Sequence, residues 1–240
     1  MPRFLRTAYG VYALVIFLLT ATITAGLLAV LPGEQRRRRA GQRAMRLALG
    51  LIGVRIRTSG VDALPRTPAV CVCNHSSQLD GLILFALLPP RYTFVVRSES
   101  RRTPLFGFLL TRVGVIWMDR ADARSGSRTI RALIRQLDAG RSVAMFPEGT
   151  IRPEPGLLPF KIGAFLLASK AQVPLVPMVM RGTRTLFPDR ARLPMHSHID
   201  ARVLSPLRAD GSKRANARDL LSTTRGQMLA LCGEPDGAPA

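Results

Sequence analysis

Residues Ala69–Leu88 read AVCVCNHSSQLDGLILFALL. Ala69–Cys73 is a short apolar run between Pro68 and Asn74 and predicts a buried strand. Leu79–Leu88 is almost wholly apolar and is stopped by Pro89 and Pro90, which predicts a short helix. Between them lies the polar turn Asn74-His75-Ser76-Ser77-Gln78-Leu79-Asp80, in which Ser76 or Ser77 can cap the helix. Open α/β sheets place their ligand sites at the ends of strands, where this turn begins.

The pattern continues on both sides. Further strand-like runs fall at Arg91–Val96, Gly114–Met118, Ser142–Phe146, Val173–Met180 and Ile199–Leu204. Pro174 and Pro177 predict that the fourth of these lies near an edge or is bulged. Helical patterns fall at Ser125–Ala139, with Ile130, Leu133, Ile134 and Leu137 on one face and Gly140 closing it, and at Lys161–Lys170. Strand–helix alternation of this kind predicts an α/β fold with a mostly parallel central sheet flanked by helices. A polar helix is expected around Asp210–Leu231.

The N-terminus differs in kind. Thr7–Gly33 holds no charged residue, and Ala8–Leu31 as a helix would reach ~36 Å, enough to cross a hydrocarbon core of ~30 Å with some tilt. Arg3 and Arg6 precede it, and Arg36, Arg37, Arg38 and Arg39 follow it. The apolar run is longer than that of a signal peptide and ends in arginines, so a retained membrane helix is expected; a helix dipping into one leaflet is the alternative. Residues 38–57 mix Arg with Met45, Leu47, Leu49, Leu51 and Ile52, the composition of a basic amphipathic helix lying among lipid headgroups or of a core-packing one. The chain thus divides into an anchor and interfacial helix (1–57), an α/β domain (58–232) and a flexible tail (233–240). Positive flanks stay on the cytoplasmic side, so the α/β domain is expected there.

The 240 residues carry a net charge of +20 and are 47% hydrophobic, too apolar for a disordered basic tail. With 3 Cys the chain is not a disulfide-stapled scaffold. Only Lys161, Lys170 and Lys213 are lysines; the other basic residues are arginine. Such charge calls for polyanionic company, nucleic acid or an anionic membrane surface. A membrane-anchored nucleic-acid-binding protein is the non-enzymatic alternative; 6% aromatic residues and no stacking motif count against it.

His75 and Asp80 are the sharpest chemical feature. If the turn folds back, the carboxylate accepts from one ring nitrogen and leaves the other as a base; the bland alternative is a pair that only caps the helix. Phe146-Pro147-Glu148-Gly149-Thr150 follows another strand and offers backbone N–H groups, a carboxylate and a hydroxyl together. Asp119-Arg120 closes a third strand, where Arg can fork onto a phosphate. Cys71/Cys73 and His196/His198 lack the companions of a metal site, and no metal is expected.

The blocks NHSSQLD, PLFGFLLTRVGVIWMDR, FPEGT and VPLVPM, in this order within residues 55–210, resemble the membrane-bound glycerolipid acyltransferase family typified by 1-acylglycerol-3-phosphate acyltransferase. The resemblance implies a fatty acyl transfer from acyl-CoA or acyl carrier protein to the free hydroxyl of a lyso-lipid acceptor, giving phosphatidic acid, with no cofactor. It implies His75 as general base and Asp80 as its orienting acid. It places Glu148, Gly149 and Thr150 at the acceptor, with Arg97 and Arg120 toward its phosphate. It implies a membrane enzyme on an anionic surface, at a bacterial inner membrane with the catalytic domain cytoplasmic, and no nucleic-acid partner. The family usually carries Arg directly after FPEGT; here Ile151 stands there and Arg152 follows it. Ile cannot hold a phosphate, so another lyso-lipid or glycerol-3-phosphate stays open as acceptor.

Overall fold

The computed structural model describes residues 2–119, 123–188, 191–209 and 214–238. Strands β1 (Arg55–Ser59), β2 (Val70–Cys73), β3 (Tyr92–Arg97), β4 (Ile116–Met118), β5 (Ser142–Met145), β6 (Leu175–Arg181) and β7 (His198–Val203) form a seven-stranded sheet in the order β1-β7-β6-β2-β5-β3-β4. From β6 to β4 every pairing is parallel; β7 runs antiparallel to β6, and β1 is parallel to β7. The mostly parallel α/β expectation is met.

Helices α1 (Arg3–Val30), α2 (Glu34–Leu51), α3 (Asp80–Leu87) and α4 (Pro104–Arg112) cover one face of the sheet. Helices α5 (Ala123–Asp138), α6 (Gly163–Ala171) and α8 (Arg214–Cys232) cover the other, with the short α7 (Thr183–Leu186) at the end of β6. Strand β2 shows why. Cys71 and Cys73 point into the α1–α3 layer and Val70 and Val72 into the α5–α8 layer, all fully buried. A central parallel strand is buried on both faces and so reads as continuously apolar. Burial pushes the Cys71 thiol up to about 12 and Cys73 upward as well, so both behave as small apolar side chains.

Of the two readings of Val173–Met180, an edge or a bulge, the bulge is the one found. β6 lies between β7 and β2, inside the sheet. Pro177 is accommodated because the neighbouring segment is irregular opposite it. Met178 pairs with Val203 but Leu175 pairs with Leu207, so the partner side carries an extra residue. That bulge spares the sheet a proton that proline does not have.

The helix expected over 38–57 is corrected. α2 begins at Glu34 and ends at Leu51, Gly53 turns the chain with φ +74°, and β1 takes Arg55–Arg57 into the sheet. Nor does its arginine run face lipid throughout. Arg38 is buried at 2% exposure and donates to the carbonyls of Pro90, Val113 and Gly114 and to Thr93 Oγ1, while pairing with Glu34 at 2.7 Å. Gln42 donates to Phe85 O and Leu88 O, and Arg46 to Ala86 O, so α2 caps the carbonyl end of α3.

α1 is one apolar helix long enough, by length and composition, to cross a membrane. It lies along the domain rather than standing away from it. Gly10, Ala13, Ala21, Thr24 and Leu28 are buried, and Phe17 stacks on Phe106 of α4, a seam of mostly small residues at coiled-coil spacing. Tyr9 and Tyr12 hydroxyls donate to Ile52 O and Leu51 O, and Arg112 holds the far end through Leu28 O and Ala29 O. The opposite face, with Val15, Leu18, Leu19 and Ile23, is exposed. The C-terminal residues expected to fray are tied down as far as they are described: Leu157 N–H donates to Pro235 O at 2.8 Å, and Arg184 pairs with Glu234.

Candidate active site

β2, β5 and β3 are parallel neighbours, so Asn74–Asp80, Phe146–Thr150 and Arg97 all lie along one edge of the sheet, at the strands' carboxyl ends. The first turn does fold back. His75 Nδ1 stands 3.0 Å from Asp80 Oδ2, and the N–H groups of Ser76 and Ser77 donate to that same oxygen at 2.7 Å each. Asp80 is fully buried and heads α3. The expected serine cap is therefore reversed: the acid in the helix's first turn organises the serine amides, while Ser77 Oγ accepts from Leu79 N–H and donates to Phe187 O.

The second turn clasps the first. Glu148 accepts from His75 N–H at 2.6 Å through Oε1 and from Leu158 N–H at 2.9 Å through Oε2. Burial pushes its carboxyl up to about 7, partly offset by those two amide bonds, with Asp80 and Glu234 adding to the rise. Phe146 stacks on the His75 ring, centroids 4.0 Å apart at 18°. Asn74 exchanges two hydrogen bonds with the backbone of Met180, and Ser76 Oγ meets Thr183 Oγ1 at 3.0 Å, fixing the β2 turn to the end of β6. The imidazole is thus locked at Nδ1 and on one ring face, while its side chain stays one-fifth exposed. With Nδ1 donating to Asp80, Nε2 is the nitrogen left to accept a proton.

Gly149 has φ +71°, and a Cβ there would fall 2.9 Å from Lys161 Nζ. The left-handed backbone favours glycine here, and the flexible Lys161 side chain lays its ammonium group against the FPEGT turn. Thr150 is exposed beside half-buried Ile151. Arg97 is exposed at the end of β3, one strand from this turn. Arg152 is exposed, and its carbonyl accepts from Arg184. Arg120 lies outside the described residues. The structure therefore joins His75, Asp80 and Glu148 directly and sets Gly149, Thr150 and Arg97 along the same edge.

An apolar cavity of about 520 Å³ opens beside the dyad, walled by α1, α2, α3 and α4. Ala21, Gly41, Phe85 and Phe106 line it, and so does Phe146, the ring that stacks on His75. Its volume is that of an ordinary small-molecule site, and nearly all of its wall is hydrocarbon.

Asn74, Phe146 and Lys161 are contributors that sequence reasoning did not single out. A polar residue at the end of a buried strand must find a partner, and that position is the signal that could have found Asn74. The partners themselves, Met180 and Gly149, come from the topology.

Residues 55–181 contain both turns and Lys161, and they match the family model described as Acyltransferase. The chain belongs to that family. It is 27% identical over 226 residues to the 1-acyl-sn-glycerol-3-phosphate acyltransferase of Saccharomyces cerevisiae, covering 91% of this chain and 74% of that one. It is 34% identical over 188 residues to the 1-acyl-sn-glycerol-3-phosphate acyltransferase alpha of Bos taurus, 77% of this chain and 65% of that one. The fold is shared with the crystal structure of the 1-acyl-sn-glycerophosphate (LPA) acyltransferase, PlsC, from Thermotoga maritima. That match has a TM-score of 0.76 at 18% identity, over 96% of this chain and 98% of that one.

Proposed function

We propose that the chain transfers a fatty acyl group from a thioester donor, acyl-CoA or acyl carrier protein, to the free hydroxyl of 1-acylglycerol-3-phosphate. The observation that carries this is the His75–Asp80 pair held by Glu148 at the mouth of an apolar cavity. Nε2 of His75 takes the proton of the acceptor hydroxyl as its oxygen attacks the thioester carbonyl. The C–O bond forms, the C–S bond breaks, and the proton passes from Nε2 to the leaving thiolate. The products are phosphatidic acid and free thiol. Asp80 holds the ring and stabilises its charged form, help of a kind worth roughly 10²–10⁴ in rate. The thioester supplies the activated acyl group, so this route calls on no cofactor or metal.

The cavity takes the acyl chain, and Phe146 aligns the reacting end with the imidazole. Lys161 and Arg97 face the acceptor phosphate from either side of the FPEGT turn, and Glu148, Gly149 and Thr150 shape the turn itself. Arg152 adds to the basic rim, and the resemblance in sequence assigns Arg120 to the same phosphate. Lys161 thereby replaces in part the cation absent at Ile151. The molecule rests on one leaflet, the exposed side of α1 in the acyl region and the arginines against anionic headgroups. The catalytic domain then faces the cytoplasm of a bacterial inner membrane.

The test is an acceptor panel with a labelled acyl donor, run on wild type and on Ile151→Arg. Turnover of 1-acylglycerol-3-phosphate above glycerol-3-phosphate and other lyso-lipids is expected, with a lower acceptor KM in Ile151→Arg. Turnover of another acceptor with none of 1-acylglycerol-3-phosphate would contradict the assignment.

A further inference from the structure

The loop that follows the FPEGT turn is held from outside by the segment after α8. Glu234 is the hub. Its Oε2 accepts from Gly156 N–H at 2.7 Å, and its Oε1 accepts from Arg184 Nε at 2.8 Å. Arg184, on α7, donates through Nη1 to the carbonyls of Arg152 and Pro153. One ion pair thus closes both ends of residues 152–156. Its side chains are 19% and 14% exposed, so solvent screens the pair only in part. Within the loop Arg152, Glu154 and Pro155 are exposed, so few buried side chains of its own hold it.

The next residues add a short parallel bridge between Leu157 and Asp236. Leu157 N–H donates to Pro235 O, and Leu157 O accepts from Gly237 N–H. Arg225 on α8 fastens the bridge, donating to Leu157 O and to both carboxylate oxygens of Asp236. The two backbones pass so closely that a Cβ on Gly156 would stand 3.0 Å from Gly237 Cα. One residue on, Leu158 N–H donates to Glu148 of the FPEGT turn. An unbroken run of contacts therefore leads from residues 234–237 to the turn, past Ile151 and Arg152 at the head of the loop.

We propose that Glu234 and Arg184 are positioning residues for the acceptor: their clasp holds residues 151–157 so that the FPEGT turn meets the lyso-lipid phosphate already in shape. This rests on the acyl-transfer reading. The His75 ring keeps its own holds, Asp80 and Phe146, which the clasp does not touch, so the clasp acts on acceptor binding and not on proton transfer. Glu234→Gln keeps the shape of the side chain but turns an NH2 group against one of its two donors. In the full-length detergent-solubilised protein, hydrogen exchange of the Gly156 and Leu157 amides is expected to speed up. In steady-state turnover the KM for 1-acylglycerol-3-phosphate is expected to rise about tenfold, with donor KM and kcat within about twofold of wild type. Arg184→Lys attacks the clasp from its other partner, keeping the charge and losing the fork. It is expected to raise the same KM, and the double variant to go no further than the larger single effect.

Faster exchange or a lower Tm with an unchanged acceptor KM makes the clasp structural only and overturns the assignment. A donor KM that rises as much as the acceptor KM, or a tenfold fall in kcat, also overturns it. Arg184→Lys decides the matter if Glu234→Gln does not fold. A wild type that turns over no lyso-lipid sinks the acyl-transfer reading, and the acceptor role of the clasp with it. An active wild type whose variants keep its acceptor KM sinks the clasp alone.

Discussion

Three donors converge on one oxygen of Asp80: the His75 ring and the amides of Ser76 and Ser77. The other oxygen is buried without a hydrogen-bond partner among the described residues. Asp80→Asn puts an amide NH2 into that site and weakens the hold on Nδ1. Its kcat is expected to fall roughly 10²–10⁴-fold, with acceptor KM little changed. Steady-state kinetics in detergent check it. Glu148 gives a pH signature. Its carboxyl titrates near 7 rather than at the ordinary 4.5, so the folded protein keeps a proton that the unfolded chain has released. That contribution to stability is full below about 4.5 and is lost as pH rises through about 7. Tm measured across this window is expected to decline with pH from this group, and Glu148→Gln to flatten the decline. The His75–Asp80 spacing was legible because both partners sit in one turn. The Glu148 clasp was not, because its partners are backbone N–H groups of His75 and Leu158, which no side-chain pattern announces.

Helix α2 shows how an element misleads when its composition is read without its partners. Arg36–Arg39 reads as a headgroup contact because arginine is rarely buried. Arg38 turns fully inward onto the carbonyl oxygens of Val113 and Gly114 at the end of α4 and of Pro90 ahead of β3, and half-buried Arg37 reaches Arg112 O beside it. Arg38→Met strands those acceptors and is expected to cost about 2–4 kcal/mol of stability, read as a lower Tm. In α1 the small residue Ala21 is both part of the docking seam and part of the cavity wall. Ala21→Leu fills the cavity, and acyl donors of long chain are expected to lose kcat/KM relative to shorter ones. The strands were read more reliably than the helices' surroundings. Short apolar runs between prolines and polar turns fix β2, β3 and β5, whereas Pro177 left an edge and a bulge open, and the bulge beside Leu207 decides between them.

At the scale of the whole molecule, alternating strands and helices were enough to predict a parallel sheet with its chemistry along one edge. The bearing of α1 was not legible, since an apolar run of this length is the same whether it spans a bilayer or lies on a domain. Gly10, Ala13 and Ala21 mark the docked side, and Leu19 and Ile23 mark the other. Leu19→Arg/Ile23→Arg is expected to weaken flotation with anionic vesicles about tenfold or more while leaving Tm unchanged, because both side chains are exposed. A helix seated against the domain along its length, with a cationic surface around it, accounts for a lipid acceptor arriving from one side and a water-soluble donor from the other. All of this serves one imidazole at the sheet edge. Single-turnover transfer of a labelled acyl group to 1-acylglycerol-3-phosphate, compared between wild type and His75→Ala in the same vesicles, tests it most directly. Loss of transfer by roughly a thousandfold or more, with Tm and vesicle binding retained, is the expected result; transfer within about tenfold of wild type would contradict it.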